Sequence, residues 1–216
     1  NVQGYQFEGD IAVLERKWDV AAESYRAALK HGASAELTSK LHSTLSAAGK
    51  TADADKLAAS WTKDNPKEPV FALYMANAAM VRNDLAGAEK LYRNVIQIAP
   101  TNASAYNNLA WITGKLKKEG SIALAEKAIA LEPHQPAYID TLAMLLSDKG
   151  DYVNALQWQT RAIELQPNNV GYKFNLAKIH IQGGKNDLAR RHLEDLAKLG
   201  DKFPAQAEVT ALLKGL

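Results

Sequence analysis

The sequence predicts an all-α repeat fold, a right-handed superhelical solenoid of six helix-turn-helix units closed by a C-terminal capping helix. Three observations predict it. Pro66, Pro100, Pro133 and Pro167 stand 34, 33 and 34 residues apart. A second column, Leu41, Met75, Leu109, Leu142 and Leu176, keeps those intervals and is followed directly by His42, Ala76, Ala110, Ala143 and Ala177. A third column, Ala54, Ala88, Ser121, Ala155 and Ala189, shares the register except for one residue missing between Ala110 and Ser121. Self-similarity at such a period marks a repeat array, in which each unit buries its apolar face against its neighbours. The copies fall at about 2–32, 35–66, 69–100, 103–133, 136–167 and 170–200, with the cap helix at 204–216, in a single domain over 1–216.

Taken in order, the first copy is marked by Gly9, Ala21, Tyr25 and Ala28. In the second, Leu41 and Ala54 lie on either side of Gly49, and Pro66 ends the unit. The third shows the pattern most plainly. Phe71, Met75, Ala78 and Ala79 recur at i, i+4, i+7 and i+8, and Ala88, Tyr92, Val95 and Ile96 repeat that spacing, giving two short amphipathic helices. Between them Asn83 and Asp84 supply a left-handed C-cap and a new N-cap. Gly49, Gly150 and Gly184 fill the same break elsewhere, because a residue without a Cβ ends a helix at little cost. The fourth copy carries Leu109, Ala110 and Ser121 with a shortened turn between Gly114 and Ser121. The fifth carries Leu142, Ala143 and Ala155, and the sixth Leu176, Ala177 and Ala189. Each recurring proline stops a second helix, since it lacks the N–H and clashes with the preceding turn. Pro204 is expected to start the cap helix, whose Val209, Leu212, Leu213 and Leu216 follow i, i+3, i+4 and i+7. The N-terminal end enters a repeat at once, which predicts further repeats upstream in the full-length product or trimming of a longer array.

These residues resemble the tetratricopeptide repeat family, whose unit is about 34 residues of helix-turn-helix. The resemblance runs from about Val2 to Gly200. It is closest in the third and fifth copies, through Asn83-Asp84-Leu85 and Gly150-Asp151-Tyr152, then Ile98-Ala99-Pro100 and Leu165-Gln166-Pro167. Trp61 and Val95 stand where the family usually has a small residue, and Gln159 where it usually has an aromatic. A weaker resemblance rests on Asn107-Asn108-Leu109-Ala110-Trp111, on the segment from Pro136 to Leu142, and on that from Leu199 to Pro204. It points to the C-terminal part of long bacterial repeat proteins tied to PEP-CTERM/exosortase and exopolysaccharide systems, which are commonly exported to the envelope.

Composition excludes several classes. Lys+Arg 26 against Asp+Glu 24 leaves a net charge of +2 without any block of like charge, which argues against a nucleic-acid binder. No apolar run approaches the roughly 18 to 20 residues of a membrane span. There is no cysteine for a disulfide or a thiolate metal site, a usage that leans towards a bacterial periplasm or envelope rather than the cytoplasm. His31, His42, His134, His180 and His192 never pair at metal-ligand spacing, and no nucleophile elbow or phosphate loop occurs. His42 and His180 are expected as hydrogen-bonded interior histidines. Gly183-Gly184 is expected as an interhelix turn, Glu194 and Asp195 as a solvated face, and Asn102 as an N-cap rather than a glycosylation acceptor. No catalytic, cofactor or metal site is expected.

What remains is a surface. By family resemblance the concave columns include Leu73, Asn107, Asp140 and Phe174, then Tyr74, Asn108, Thr141 and Asn175, then Asn77, Trp111, Met144 and Lys178. Trp111 offers a large apolar contact and one N–H donor, as a binding hot spot does, or else packs on the neighbouring repeat. Asn77, Asn107 and Asn108 could bridge the backbone of an extended ligand, or bond locally at helix ends. Asparagines matching Asn77 and Asn108 clamp C-terminal carboxylates in chaperone-binding repeats. Leu73, Ala137 and Thr141 replace the basic residues such a clamp needs, which disfavours it here. The asparagine ladder of O-GlcNAc transferase-like repeats is kept only at Asn108 and Asn175. The expected function is non-catalytic binding of a protein or peptide segment in the groove, centred on Asn77, Asn108 and Trp111. The alternatives are a spacer or oligomerisation arm, self-associating through the uncapped N-terminal edge, or a regulatory repeat region of a larger enzyme.

Overall fold

The computed structural model describes residues 1–216 and is all-helical. The helices are α1 (Val2–Leu14), α2 (Trp18–His31), α3 (Ala35–Ala47), α4 (Thr51–Asp64), α5 (Pro69–Val81), α6 (Leu85–Ile98) and α7 (Ala103–Lys115). They continue as α8 (Ser121–Leu131), α9 (Pro136–Asp148), α10 (Tyr152–Leu165), α11 (Val170–Gln182) and α12 (Asn186–Ala197), then a 3-10 turn (Gly200–Lys202) and α13 (Gln206–Gly215). Odd-numbered helices through α11 open the six copies and even-numbered ones close them. The chain forms two compact units, Asn1–Pro100 and Thr101–Leu216. Each holds three helix hairpins, and the second also holds α13. No helix is long and apolar enough to cross a membrane.

Every hairpin turns on one left-handed residue at the same place: Arg16, Gly49, Asn83, Lys117, Gly150 and Gly184, with φ between 54° and 84°. Arg16 and Lys117 bear a Cβ there at a cost of about 1–2 kcal/mol, so the sequence gives no sign of them. Of the helices that follow these turns, α6 and α10 are capped by side chains, Asp84 accepting from Gly87 N and Asp151 from Asn154 N, while α2, α4, α8 and α12 are not; Asn102 caps α7 by accepting from Ala105 N. Asn102 is thus the N-cap its position suggests.

The alanine columns are the seams. Ala21, Ala54, Ala88, Ala155 and Ala189 are all 2% exposed or less. In the first unit Ala12, Tyr25, Leu37, Leu41 and Leu45 share one core. The Tyr25 hydroxyl donates to Asp10 Oδ1 at 2.6 Å, and Lys40 Nζ from the next copy reaches both Asp10 oxygens at 2.6 and 2.8 Å. That bond ties α1, α2 and α3 together. Trp61 holds a position where Ala28, Val95, Ala128 and Ala162 are fully buried. Its bulk keeps α4 off α5 and leaves a cavity of about 470 Å³ lined by Trp61, Phe71, Met75 and Leu91.

Two expectations are corrected in the second unit. The residue missing from the fourth copy shortens a helix, not a turn. Helix α8 has 11 residues where α6 and α10 have 14, and the break before it is longer than in the neighbouring copies. The cap helix starts at Gln206 rather than Pro204. Phe203 is extended (φ −113°, ψ 113°), as a residue before proline prefers, and it plugs into the core before the chain turns helical. Val209 is buried beyond it, with Leu212, Leu213 and Leu216 packed around.

Candidate functional site

The first helices of the copies carry the candidate face because they adjoin one another. Helices α7, α9 and α11 do so in the second unit, and α3 and α5 in the first. The second helices pack instead on their own hairpin and on the first helix that follows, as α8 does on α9 and α10 on α11.

In the first unit this face holds Leu73, Tyr74 and Asn77 of α5. Leu73 and Tyr74 are half-buried and Asn77 is exposed. The Tyr74 hydroxyl and His42 Nδ1 share a hydrogen bond of 2.7 Å, and the rings meet edge-on at 5.4 Å. Phe71 adds a second edge contact to His42 at 6.2 Å. Burial, and next the Arg82 charge, push the His42 imidazole below the usual histidine range, while burial lifts the Tyr74 hydroxyl. His42 is therefore the hydrogen-bonded interior histidine its column implies. Asn77 accepts a hydrogen bond from the Tyr92 hydroxyl of α6. Its carbonyl serves the hairpin, so any part in ligand binding falls to its amide N–H groups.

In the second unit the face centres on Trp111 of α7, which is 40% exposed with Lys115 Nζ 5.6 Å from its ring centroid. One turn earlier, Asn107 Nδ2 donates to Asn108 Oδ1 at 3.3 Å, and Asn107 Oδ1 is buried without a partner. Helix α9 contributes Asp140 and Met144, both half-buried, and α11 contributes Asn175 and Lys178. Asn175 Nδ2 donates to both Asp140 oxygens at 2.9 and 3.0 Å. From beneath, the fully buried Gln159 donates through Nε2 to Asp140 Oδ1 at 2.6 Å and to the Tyr172 carbonyl at 2.9 Å. Burial lifts the Asp140 carboxyl above its ordinary range, against the pull of both amides and of the Lys178 charge. Gln159 is the partner that sequence reasoning missed. Its place in an aromatic column was the available signal.

Phe174 does not line the face. It is 4% exposed and meets Phe203 edge-on at 5.5 Å, because the segment before α13 folds over it. Lys178 Nζ sits 4.6 Å from the Phe174 ring centroid and 3.9 Å from Glu208 Oε1, so it stays at the rim. His180 is interior, but its Nδ1 is buried without the hydrogen-bond partner expected of it, and the ring instead stacks face to face on His192 of α12 at 5.5 Å, a pairing invisible in the linear spacing. Burial and then the His192 charge push His180 below the usual range. No group of three or more histidine or carboxylate side chains stands where it could hold a metal ion.

The tetratricopeptide repeat family model matches residues 138–169, most of the fifth copy and the two residues after it. A solved tetratricopeptide repeat protein from Parabacteroides merdae ATCC 43184 is similar over 91% of this chain and 79% of its own, with a TM-score of 0.75 and 16% identity. The pilF protein of Pseudomonas aeruginosa is similar over 97% of this chain and 96% of its own, with a TM-score of 0.72 and 17% identity. At such identities the likeness is one of fold. The cellulose synthase operon protein C of Pseudomonas fluorescens (strain SBW25) is 25% identical over 178 residues, 77% of this chain. The chain spans 14% of the length of that relative. The matched repeat and the shared fold support the tetratricopeptide repeat family, whose repeats suggest a protein-interaction scaffold.

Proposed function

We propose that the chain is a non-catalytic protein-interaction scaffold whose first-helix face holds an extended or helical segment of a partner protein. The observation that carries this reading is Trp111, a tryptophan left 40% exposed on that face. An indole with a cation beside it and amides one turn away combines apolar area with donors and acceptors, the composition of a hot spot. Met144 extends the apolar part, while Asn175, Asp140 and Lys178 give the far side a polar rim. The partner is a protein or peptide with alternating apolar and polar positions, not a nucleic acid. The likeness to a cellulose synthase operon protein supports a setting in a bacterial envelope or exopolysaccharide assembly. The PEP-CTERM-type phrases support the same setting.

The test compares proteins retained from envelope and soluble extracts by the unmodified chain, by Trp111→Ala, and by Val153→Ser, a change at a 70% exposed position on α10. A partner retained by the unmodified chain and by Val153→Ser should be held at least about tenfold less by Trp111→Ala. Equal recovery by all three would contradict the reading.

A second reading, an oligomerisation arm, is favoured by Phe7, Ile11 and Leu14, exposed by 67%, 58% and 84% along one side of α1. Contiguous exposed apolar surface of that kind marks contact sites. Self-association lost in Phe7→Ser/Ile11→Ser, measured by sedimentation, would support it.

A further inference from the structure

We infer that the first unit carries a docking site on its second-helix side, a cavity between α4, α5 and α6 that takes one aromatic side chain from an acidic segment of a partner protein. Trp61, Phe71, Met75 and Leu91 form the large walls of this cavity of about 470 Å³, and Ala58 and Ala72 the small ones. None of these residues belongs to the first-helix face, so the site stands whether or not that face binds. Three departures from the repeat pattern make the space.

The first is Ala58. Its column is filled in other copies by Tyr25, Tyr92, Gln159 and Leu193, each 2% exposed or less. Alanine leaves the volume of a large side chain unfilled, a void that a packed interior carries only at a cost.

The second is Trp61, three residues later. Ala28, Ala128 and Ala162 hold that place where α2 closes on α3, α8 on α9 and α10 on α11, whereas the indole holds α4 away from α5. Its ring leans on Phe71 with centroids 6.1 Å apart, and its Nε1 is buried without an acceptor. Alanine would close the junction and leave no unpaired N–H, so stability does not account for the tryptophan.

The third is Met75, half-buried in a column where Leu41, Leu109 and Leu142 are buried. An unbranched thioether between two aromatic walls adapts to an incoming ring and attracts it through sulfur–aromatic contact.

Shape and charge identify the occupant. At its mouth the cavity continues past Thr62, Leu91 and Asn94 into a groove of about 680 Å³ along α6. A small molecule would occupy the cavity alone, whereas a chain with one ring in the cavity and its backbone along α6 occupies both. Thr62 and Asn94 are exposed at the junction and offer donors and acceptors to that backbone. Of the two acids along cavity and groove, Glu68 already accepts from Val70 N and Phe71 N, and Glu89 pairs with Arg93 at 2.9 Å. Lys63 and Lys90 at the rim are in no ion pair. Positive charge without an internal partner is complemented by acidic residues on either side of the ring.

Amide chemical shifts of the full chain test the site, titrated with a seven-residue peptide that has a central tryptophan between acidic residues. The comparison probes are the same peptide with a central alanine, the same peptide with lysines in place of the acids, and indole-3-acetate. Saturable shifts are expected at Ala58, Thr62, Ala72, Leu91 and Asn94. The acidic tryptophan peptide should bind at least about tenfold more tightly than the alanine peptide or indole-3-acetate, and at least about threefold more tightly than the lysine peptide. Ala58→Tyr/Trp61→Ala restores the pattern that Tyr25 and Ala28 set in the first copy, and should weaken binding at least about tenfold while the remaining amide spectrum persists. Lys63→Ala/Lys90→Ala, which leaves the apolar walls untouched, should weaken it at least about threefold. No saturable shift at these amides would overturn the site, as would unchanged binding in either variant or an alanine or lysine peptide bound as tightly. Indole-3-acetate bound as tightly as the peptide would overturn the assignment to a protein segment.

Discussion

Replacing Phe174 with alanine is expected to destabilise the second unit by about 3–5 kcal/mol, the usual loss for a fully buried aromatic. Phe174 and Phe203 are 4% and 6% exposed and share one cluster with Leu193, Leu196 and Val209. Phe203 meets Phe174 edge-on, and Val209 in the same cluster and the Lys178–Glu208 pair join the segment after α12 to α11 beside it. Removing the ring therefore removes one anchor of the cap as well as its own contacts. Stability in a repeat array is a sum over neighbours, so the loss should stay local. Hydrogen exchange should show α11, α12 and α13 opening while α1 to α3 keep their protection. Uniform loss along the whole chain would contradict that locality.

Asp140→Ala is expected to lower the stability of the second unit by about 1–3 kcal/mol, through the donors it strands rather than through lost apolar contact. Gln159 is fully buried, and its Nε2 would keep only the Tyr172 carbonyl. Asn175 Nδ2 would lose both of its acceptors. Two opposed effects decide the size. The variant also removes a carboxyl that burial already disfavours in its charged form. The hydrogen bonds are charge-assisted, however, and stranding a buried donor outweighs that relief. A double-mutant cycle with Asn175→Ala, read from urea midpoints, should show the two changes coupled by more than about 0.5 kcal/mol. Additive losses would mean that the pair does not act as a unit. The consequence for function is direct: Asp140 and Asn175 hold each other, so a partner lost in either variant reports on the shape of the face as much as on contact.

Much of this was legible in the linear chain because a repeat writes its contacts at fixed intervals. The alanine and leucine columns, the prolines and the glycine breaks each follow from one local rule of helix geometry, and six copies say the same thing. The exposed Trp111 was legible for the same reason, as the outlier in a column. Contacts set by a single copy were not. Phe174 looked like a face residue because its column is one, yet the cap that buries it has no repeat to announce it. Arg16 and Lys117 turn hairpins with ordinary side chains, since tertiary packing overrides a penalty of about 1–2 kcal/mol. The pairing of His180 with His192 and the reach of Gln159 to Asp140 join different helices at distances that periodicity does not encode. The shortening of α8 goes with a deletion, which a sequence shows only as a gap in a column.

The central claim is that the first-helix face of the second unit is the working surface. The measurement that tests it most directly is hydrogen exchange on the chain with and without a partner recovered by retention. The account predicts new protection on α7, α9 and α11 around Trp111, Met144 and Asn175, with α8, α10 and α12 unchanged. Protection confined to those second helices, or to α1 with its exposed Phe7 and Ile11, would contradict it.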